Sequence, residues 1–224
     1  RDYYASRGLG DVYKRQTPKW QQFYKVALYI PVVLPASVVA VMWKFMLNKD
    51  IGLVNTLLRL VGLDNLTHAW IGEKSTALGT VIAVNTWQYI GFTMVLFYIA
   101  MMNISKDVLE SAAVDGATKK DLFFNFFLPL TAGTTETNVI LSISGGMKSF
   151  ALFYMLTGGG PGKATTVVAQ LIYTTAFVDF KFYRALAMST VLFIIILTLV
   201  LISRLIGRRY NYCLLYTSPS PRDA

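Results

Sequence analysis

The feature that most constrains this chain is a set of three long stretches without a charged residue. Val26 to Trp43 runs for 18 residues between Lys25 and Lys44, Ser75 to Ser105 for 31, and Ala185 to Ser203 for 19 between Arg184 and Arg204. A bilayer crossing takes about 20 predominantly apolar residues, so stretches of this length read as spans, not as buried helices of a water-soluble domain. The flanking lysines and arginines have stems long enough to reach water from a span end. Composition agrees: 54% of residues are hydrophobic and 15% charged, with a mean hydropathy of +0.49. A typical soluble domain carries about 25% charge.

A fourth stretch, Thr131 to Thr157, is broadly apolar but holds Glu136, Lys148 and the pair Gly145-Gly146. Parity favours counting it as a crossing. Lysine and arginine are abundant before Val26 and after Ile202, which puts both ends on the cytoplasmic side and requires an even number of spans. The expected fold is therefore all-α, a multispan transmembrane helical bundle with four spans at about 26–47, 77–101, 131–157 and 185–206. The segments 48–75 and 158–184 are then external, and 103–130 is cytoplasmic.

Residues 1–16 and 213–224 share no pattern with the remainder, and both resemble translated sequencing-adapter read-through. They are expected to be non-native tails flanking a permeable-looking membrane domain over 17–212. Leaving them out lowers the formal net charge from +9 to +7, because the first holds four Lys/Arg and two Asp and the last one of each sign. A positive balance in such a chain points to loops retained in the cytoplasm. No arginine-rich stripe is present to follow phosphates, so nucleic acid is not an expected partner; membrane lipid is. One histidine and one cysteine leave no basis for a metal cluster, a haem site, a Cys–His pair or a disulfide framework, and no cofactor is expected.

The cytoplasmic stretch Ser105 to Leu130 reads as two short helices joined by a glycine. Ser105 can cap the first, which carries Val108, Leu109, Ala112 and Ala113 near one face. Gly116 suits the left-handed position past its end. Thr118 and Asp121 have the spacing of a capping box for a second helix, which presents Leu122, Phe123, Phe126 and Phe127 before Pro129 punctuates it. Small residues (Ser111, Ala112, Ala113) let another surface approach closely, and the aromatic face can brace the pair against the membrane domain. An amphipathic hairpin lying on lipid is the competing reading. It accounts for the phenylalanines but not for the small residues, nor for Glu110 and Asp115 beside anionic headgroups.

Glu110, Ala112, Gly116, Leu128 and Pro129 fit the pattern E-A-A, three residues, G, nine residues, I, any residue, L-P, with Ser111 for the first alanine and Phe126 for the isoleucine. On this loop the chain resembles the permease subunits of binding-protein-dependent ABC importers. The run Leu156-Thr157-Gly158-Gly159-Gly160-Pro161 and the stretch Trp87 to Phe92 are similar to the carbohydrate-uptake branch, which includes maltose-type and glycerol-phosphate-type permeases. The likeness runs over about 23–207. It implies a multi-pass protein of the bacterial or archaeal plasma (inner) membrane, a second homologous permease, a dimer of ABC ATPase subunits and an extracytoplasmic solute-binding protein. It also implies that Glu110, Ser111, Ala112, Ala113, Asp115, Gly116, Leu128 and Pro129 form the surface that meets the ATPase. Such permeases have six or more spans, so the chain is expected to lack the first one or two.

Other residues that look chemical have plainer readings beside them. The run from Gly158 to Lys163 lacks the first glycine and the Ser/Thr of a phosphate-binding loop, where Thr157 and Ala164 stand. A tight external turn is preferred, with Gly159, Gly160 and Pro161 available to touch the binding protein or second permease. Lys148, near the middle of a crossing, costs about 2.5–3.5 kcal/mol unless it faces a cavity or partner or snorkels to a span end. With Asn138, Ser142, Ser144 and Ser149 it can line a path for a hydroxyl-rich, uncharged solute, as can Asn85 and Gln88; hydrogen bonds that only hold spans together are the alternative. His68, without a partner carboxylate or thiol in view, reads as a surface residue, and Trp70, Trp87, Tyr89 and Tyr98 as interface anchors. No catalytic constellation is visible, so an enzyme is not expected. The main rivals are a secondary transporter, which would carry more intramembrane acids and an inverted repeat, and an assembly factor using 103–130 as an interfacial hairpin.

Overall fold

The computed structural model describes residues 20–114 and 116–211. The two expected tails and Asp115 lie outside the described residues. The described residues are helical throughout, without a strand: α1 (Trp20–Val33), α2 (Ala36–Met46), α3 (Leu53–Leu60), α4 (Lys74–Met102), α5 (Lys106–Val114), α6 (Ala132–Lys148), α7 (Ala151–Thr157), α8 (Val168–Phe177) and α9 (Phe182–Asn211). Short helical pieces at Asp64–Leu66 and over 119–130 complete the chain.

Two helices, Lys74–Met102 and Phe182–Gly207, are long and apolar enough to cross a membrane unaided. At 1.5 Å per residue α4 is about 43 Å long, more than the ~30 Å of hydrocarbon. The other two expected spans are broken. Phe23–Val33 and Ala36–Met46 meet at 104°, and Ala132–Lys148 and Ala151–Thr157 at 46°. Counting each bent pair as one crossing gives four.

The break in the first apolar stretch corrects the expectation of one helix over 26–47, and its cause is in the residues. Pro35 has no N–H to donate back to Pro31, and it disfavours helical backbone at Leu34 before it. Leu34 N instead donates to Pro31 O at 3.3 Å, and α2 restarts with Val38 N and Val39 N on Pro35 O. In the third crossing the chain turns extended at Ser149 (ψ 118°), three residues past the glycine pair expected to loosen it.

The core lies where the second halves of both broken spans meet α4. Val39 and Ala40 of α2, Val81 and Val84 of α4, and Leu152, Phe153 and Leu156 of α7 are buried together with Leu47. On α4 the buried positions Ala77, Val81, Val84, Gln88 and Gly91 recur every three or four residues, one face of a helix. Gly91 is required there: a Cβ would overlap the backbone of Leu28 on α1. Trp70 and Trp87 pack against this core, with Trp87 edge-on to Trp43 at 5.3 Å. Both are half-buried there; Tyr89 stays exposed, and the Tyr98 ring lies 3.6 Å beneath Lys25 Nζ.

The segment expected as external loop 158–184 contains α8, which packs along α9. The segment before α4 is also structured, around a buried asparagine. Asn55, 0% exposed, donates to the carbonyls of Lys49 and His68 at 3.0 Å each and accepts from Trp70 Nε1 at 2.7 Å. His68 does have a carboxylate partner, contrary to expectation: its Nδ1 lies 3.3 Å from Glu73 Oε2.

Candidate functional site

The loop between α4 and α6 is assembled from local signals. α5 ends at Val114, and Gly116 adopts φ +83° with open space where a Cβ would stand. The left-handed backbone, not crowding, is what calls for glycine. Ala117 N donates to Ala112 O at 3.0 Å, the long closing bond of a Schellman ending with Gly116 just past the cap. The next helical piece opens on a reciprocal capping box. Thr118 N and Oγ1 donate to Asp121 Oδ2 at 2.9 and 2.6 Å, and Asp121 N donates to Thr118 Oγ1 at 3.3 Å. Those two bonds from Thr118 hold the fully exposed Asp121 carboxyl below its usual range.

Beyond the cap the expected α-helix is replaced. Lys119–Asp121 leads into a π-helical turn, Leu122–Phe127, and then Leu128–Leu130. Pro129 accounts for the change: it cannot donate to Asn125 O as an α-helix demands, and the wider turn shifts the bonding so that Leu128 N reaches Phe123 O. Thr131, buried, closes the turn by donating its N–H and hydroxyl to Phe127 O at 3.0 and 2.8 Å. Pro129 therefore widens the helix instead of ending it. Leu122, Phe126 and Phe127 are half-buried, while Phe123 and Phe124 are exposed and meet edge-to-face at 5.2 Å. The aromatic face is thus divided, and only part of it braces the loop.

On α5, Ser111 is exposed and its hydroxyl bonds back to Val108 O at 3.0 Å. Ala112 is buried, so it belongs to the inner side of the helix and not to the free small-residue surface expected of it. Glu110 and Ala113 sit on α5, with side chains outside the described residues. Leu128 and Pro129 are exposed. Among the described residues no span packs extensively along α5.

The polar residues expected along a solute path lie on α4 and α6, with different local partners. Gln88, 2% exposed, donates its amide to Leu34 O at 3.2 Å, satisfying a carbonyl that the Pro35 break leaves outside either helix. Its Oε1 and the Oδ1 of Asn85 are buried and accept no hydrogen bond among the described residues. Asn138, also buried, bonds to Thr134 O of its own helix at 3.1 Å. Ser142 is exposed, and Lys148 is exposed as the last residue of α6, at the bend between the two halves of the third crossing.

The glycine run after α7 is a tight turn. Gly158, Gly159 and Gly162 all have positive φ. Thr165, buried, donates to Gly160 O at 2.8 Å and shares a 2.7 Å bond with Thr157. A Cβ on Gly159 would strike the Gln170 amide. Pro161 is half-buried in the same turn. The residue that sequence reasoning missed is Asn55: one polar residue beside Thr56 in a leucine-rich helix gave no sign of the three bonds it makes.

Comparisons with known proteins agree on one group. The sequence profile of the binding-protein-dependent transport system inner membrane component matches residues 9–212. A probable ABC transporter permease protein of Bacillus subtilis, YurN, is 38% identical over 181 residues, 81% of this chain and 62% of that protein. The diacetylchitobiose uptake system permease protein NgcF of Streptomyces coelicolor is 31% identical, covering 83% and 53%. This chain therefore spans between half and two thirds of those two relatives. Among solved structures, a bacterial ABC transporter involved in import of the acidic polysaccharide alginate matches with a TM-score of 0.78 at 23% identity, over 87% of this chain and 68% of the other.

Proposed function

The chain belongs to the family of binding-protein-dependent transport system inner membrane components, and from that premise we propose that it is a permease subunit of an ABC importer for a carbohydrate or polyol. In this reading it crosses a bacterial or archaeal plasma membrane four times with both described ends cytoplasmic, and pairs with a second homologous permease. A dimer of ABC ATPase subunits supplies the energy and an extracytoplasmic solute-binding protein delivers the solute. The chain itself carries out no covalent step.

The observation that carries the reading is the α5–Gly116–capping-box unit. A short helix closed by a left-handed glycine and followed at once by a capped helix is a stiff knuckle, and it leads directly into α6. A displacement of α5 by a moving ATPase is then passed to a span, which is how a two-state membrane domain is tipped between inward- and outward-open forms. Of the residues that the resemblance implies, Glu110, Ser111, Ala113, Asp115 and Gly116 are assigned to the ATPase contact; Ala112 is buried, and Leu128 and Pro129 follow the π-helical turn, next to α6, and are not assigned to it. Gly159, Gly160 and Pro161 are assigned to the external partner. Of the solute-path residues, Asn85 and Gln88 both keep an unengaged amide oxygen suited to a sugar hydroxyl, while the Gln88 amide nitrogen is occupied at Leu34.

Co-purification with the ATPase subunit tests this. The full chain should bring the ATPase down, and deletion of 105–118 should abolish the association. Undiminished ATPase recovery from the deletion variant overturns the assignment.

A further inference from the structure

The part of the loop that follows the knuckle carries an exposed stripe that the coupling role does not use. Phe123 and Phe124 are 52% and 62% exposed, Leu128 is 50% exposed, and Lys120 is exposed beside them. Lys120, Phe124 and Leu128 are spaced four apart, so they share one side of the helical turn, with Phe123 flanking it. Their order along the chain is cation, aromatic pair, aliphatic, and the stripe then runs through Leu130 into α6, an expected span. The neighbouring Asp121 carboxylate is turned onto the Thr118 cap, and Asn125 is the remaining exposed polar group beside the pair.

We propose that this stripe is a membrane-surface site for anionic phospholipid of the cytoplasmic leaflet, with Phe123, Phe124 and Leu128 at the acyl boundary and Lys120 at the headgroup phosphates. Two observations choose lipid over protein as the occupant. The stripe is continuous with α6, a span in the proposed topology, so its apolar end borders hydrocarbon in that reading. Its described cation, Lys120, stands at the end farther from the span, where headgroups lie; a stripe built for a protein pocket has no need of that polarity gradient. Basic residues at this boundary are attracted to an anionic leaflet, and phenylalanines on the same face add apolar burial. The two halves of the loop then have separate tasks. α5 faces the aqueous partner, and the π-helical turn rides on the leaflet, so that α5 pivots about a lipid-held base. This inference rests on the membrane topology of the proposed permease but not on its ATPase contact.

Spin-label accessibility tests it in the full chain, with the one cysteine, Cys213, replaced by serine. Labels are placed by Phe124→Cys and, as aqueous reference, by Val114→Cys on α5, where the native side chain is 87% exposed. In vesicles of phosphatidylcholine with phosphatidylglycerol, the label at 124 should show severalfold lower access to a water-soluble nickel chelate than the label at 114, with high access to oxygen. The contrast should shrink in phosphatidylcholine alone and with Lys120→Glu. Nickel access equal at both positions overturns the site. Low access to both reagents at 124 means that protein covers it, and also overturns it. An unchanged contrast in phosphatidylcholine alone removes the anionic specificity and overturns the site as stated. Phe123→Cys repeats the measurement should the label at 124 disturb the turn. ATPase co-purification on the same samples separates a failure of this inference from a failure of the permease reading.

Discussion

The segment before α4 and the loop after it are of similar length, and they are finished in opposite ways. In the first, Asn55 joins three stretches of backbone and ring through bonds at 3.0, 3.0 and 2.7 Å, and every polar atom of its amide is engaged or surrounded inside the fold. Trp70 and Ile71 carry that segment onto the core of α2, α4 and α7. In the second, the side-chain bonds from α5 to the capping box stay within three residues of their origin, and hydrophobic residues as large as Val114, Phe123 and Phe124 face outward. The first region is tied to the core by a buried side-chain network, although Ile51, Leu60 and Val61 on its surface also face outward. The other is given a definite shape by local chemistry and left to be completed by something else.

If the contrast is real, substitutions in the two regions must differ in kind. The largest effect is expected from Asn55→Leu, which leaves two carbonyls and the Trp70 indole N–H without partners. Each orphaned buried group costs about 1–3 kcal/mol, so the detergent-solubilised protein should lose on the order of 3 kcal/mol or more, read as a marked fall in its thermal midpoint. ATPase association should fall only in proportion to the folded fraction. A midpoint within a degree of the parent would show that the segment is not held by this amide.

Gly116→Val should do the reverse. Nothing crowds the position, so the cost is that of holding a branched residue at φ +83°, about 1–2 kcal/mol, and it falls on the Schellman ending alone. The bundle's thermal midpoint should barely move while ATPase recovery drops severalfold; Gly116→Asn, which tolerates that backbone, should restore most of it. If the valine variant lowers the midpoint as far as Asn55→Leu does, the loop is part of the core and the contrast fails.

What could be read from sequence follows the same division. Gly116, Thr118 and Asp121 act through neighbours a few residues away, so spacing alone revealed the glycine ending and the cap. The long spans α4 and α9 were legible because an uninterrupted uncharged stretch leaves a helix no alternative in lipid. The bent spans were not, because hydropathy sums composition and is blind to geometry: Pro31 and Pro35, four apart, carried the signal for the 104° bend, but nothing in an apolar average registers a missing N–H. α8 was hidden by its glutamine and threonines, which read as loop until Gln170 and Thr175 turned out to be buried. Asn55 was illegible for a different reason. Its partners, the backbone of Lys49 and His68 and the ring of Trp70, are brought to it only by the tertiary fold. Gln88 shares that reason, since its partner at Leu34 exists because the first span breaks.

The smallest expected effect concerns protons and sharpens the contrast at the level of a single bond. Asp121 has its carboxyl held below the usual 3.8 by the Thr118 hydroxyl and N–H. A depressed folded-state value means that the cap's contribution is complete above the ordinary carboxylate value and is lost as pH falls through the lower, folded one. Amide exchange at Thr118 and Asp121 should therefore stay protected from neutral pH down to about 4 and rise only in more acid solution. Asp121→Asn should remove that acid transition while keeping part of the neutral-pH protection, because its amide oxygen can still accept from Thr118. The three bonds of Asn55 involve two backbone carbonyls and an indole N–H, none of which titrates, so exchange of the Trp70 indole N–H should show no matching step caused by that bond. A step at Thr118 in the range where unperturbed carboxylates titrate would mean that Asp121 is not held by the cap. The loop would then owe its shape to the partners that cover it and not to its own sequence.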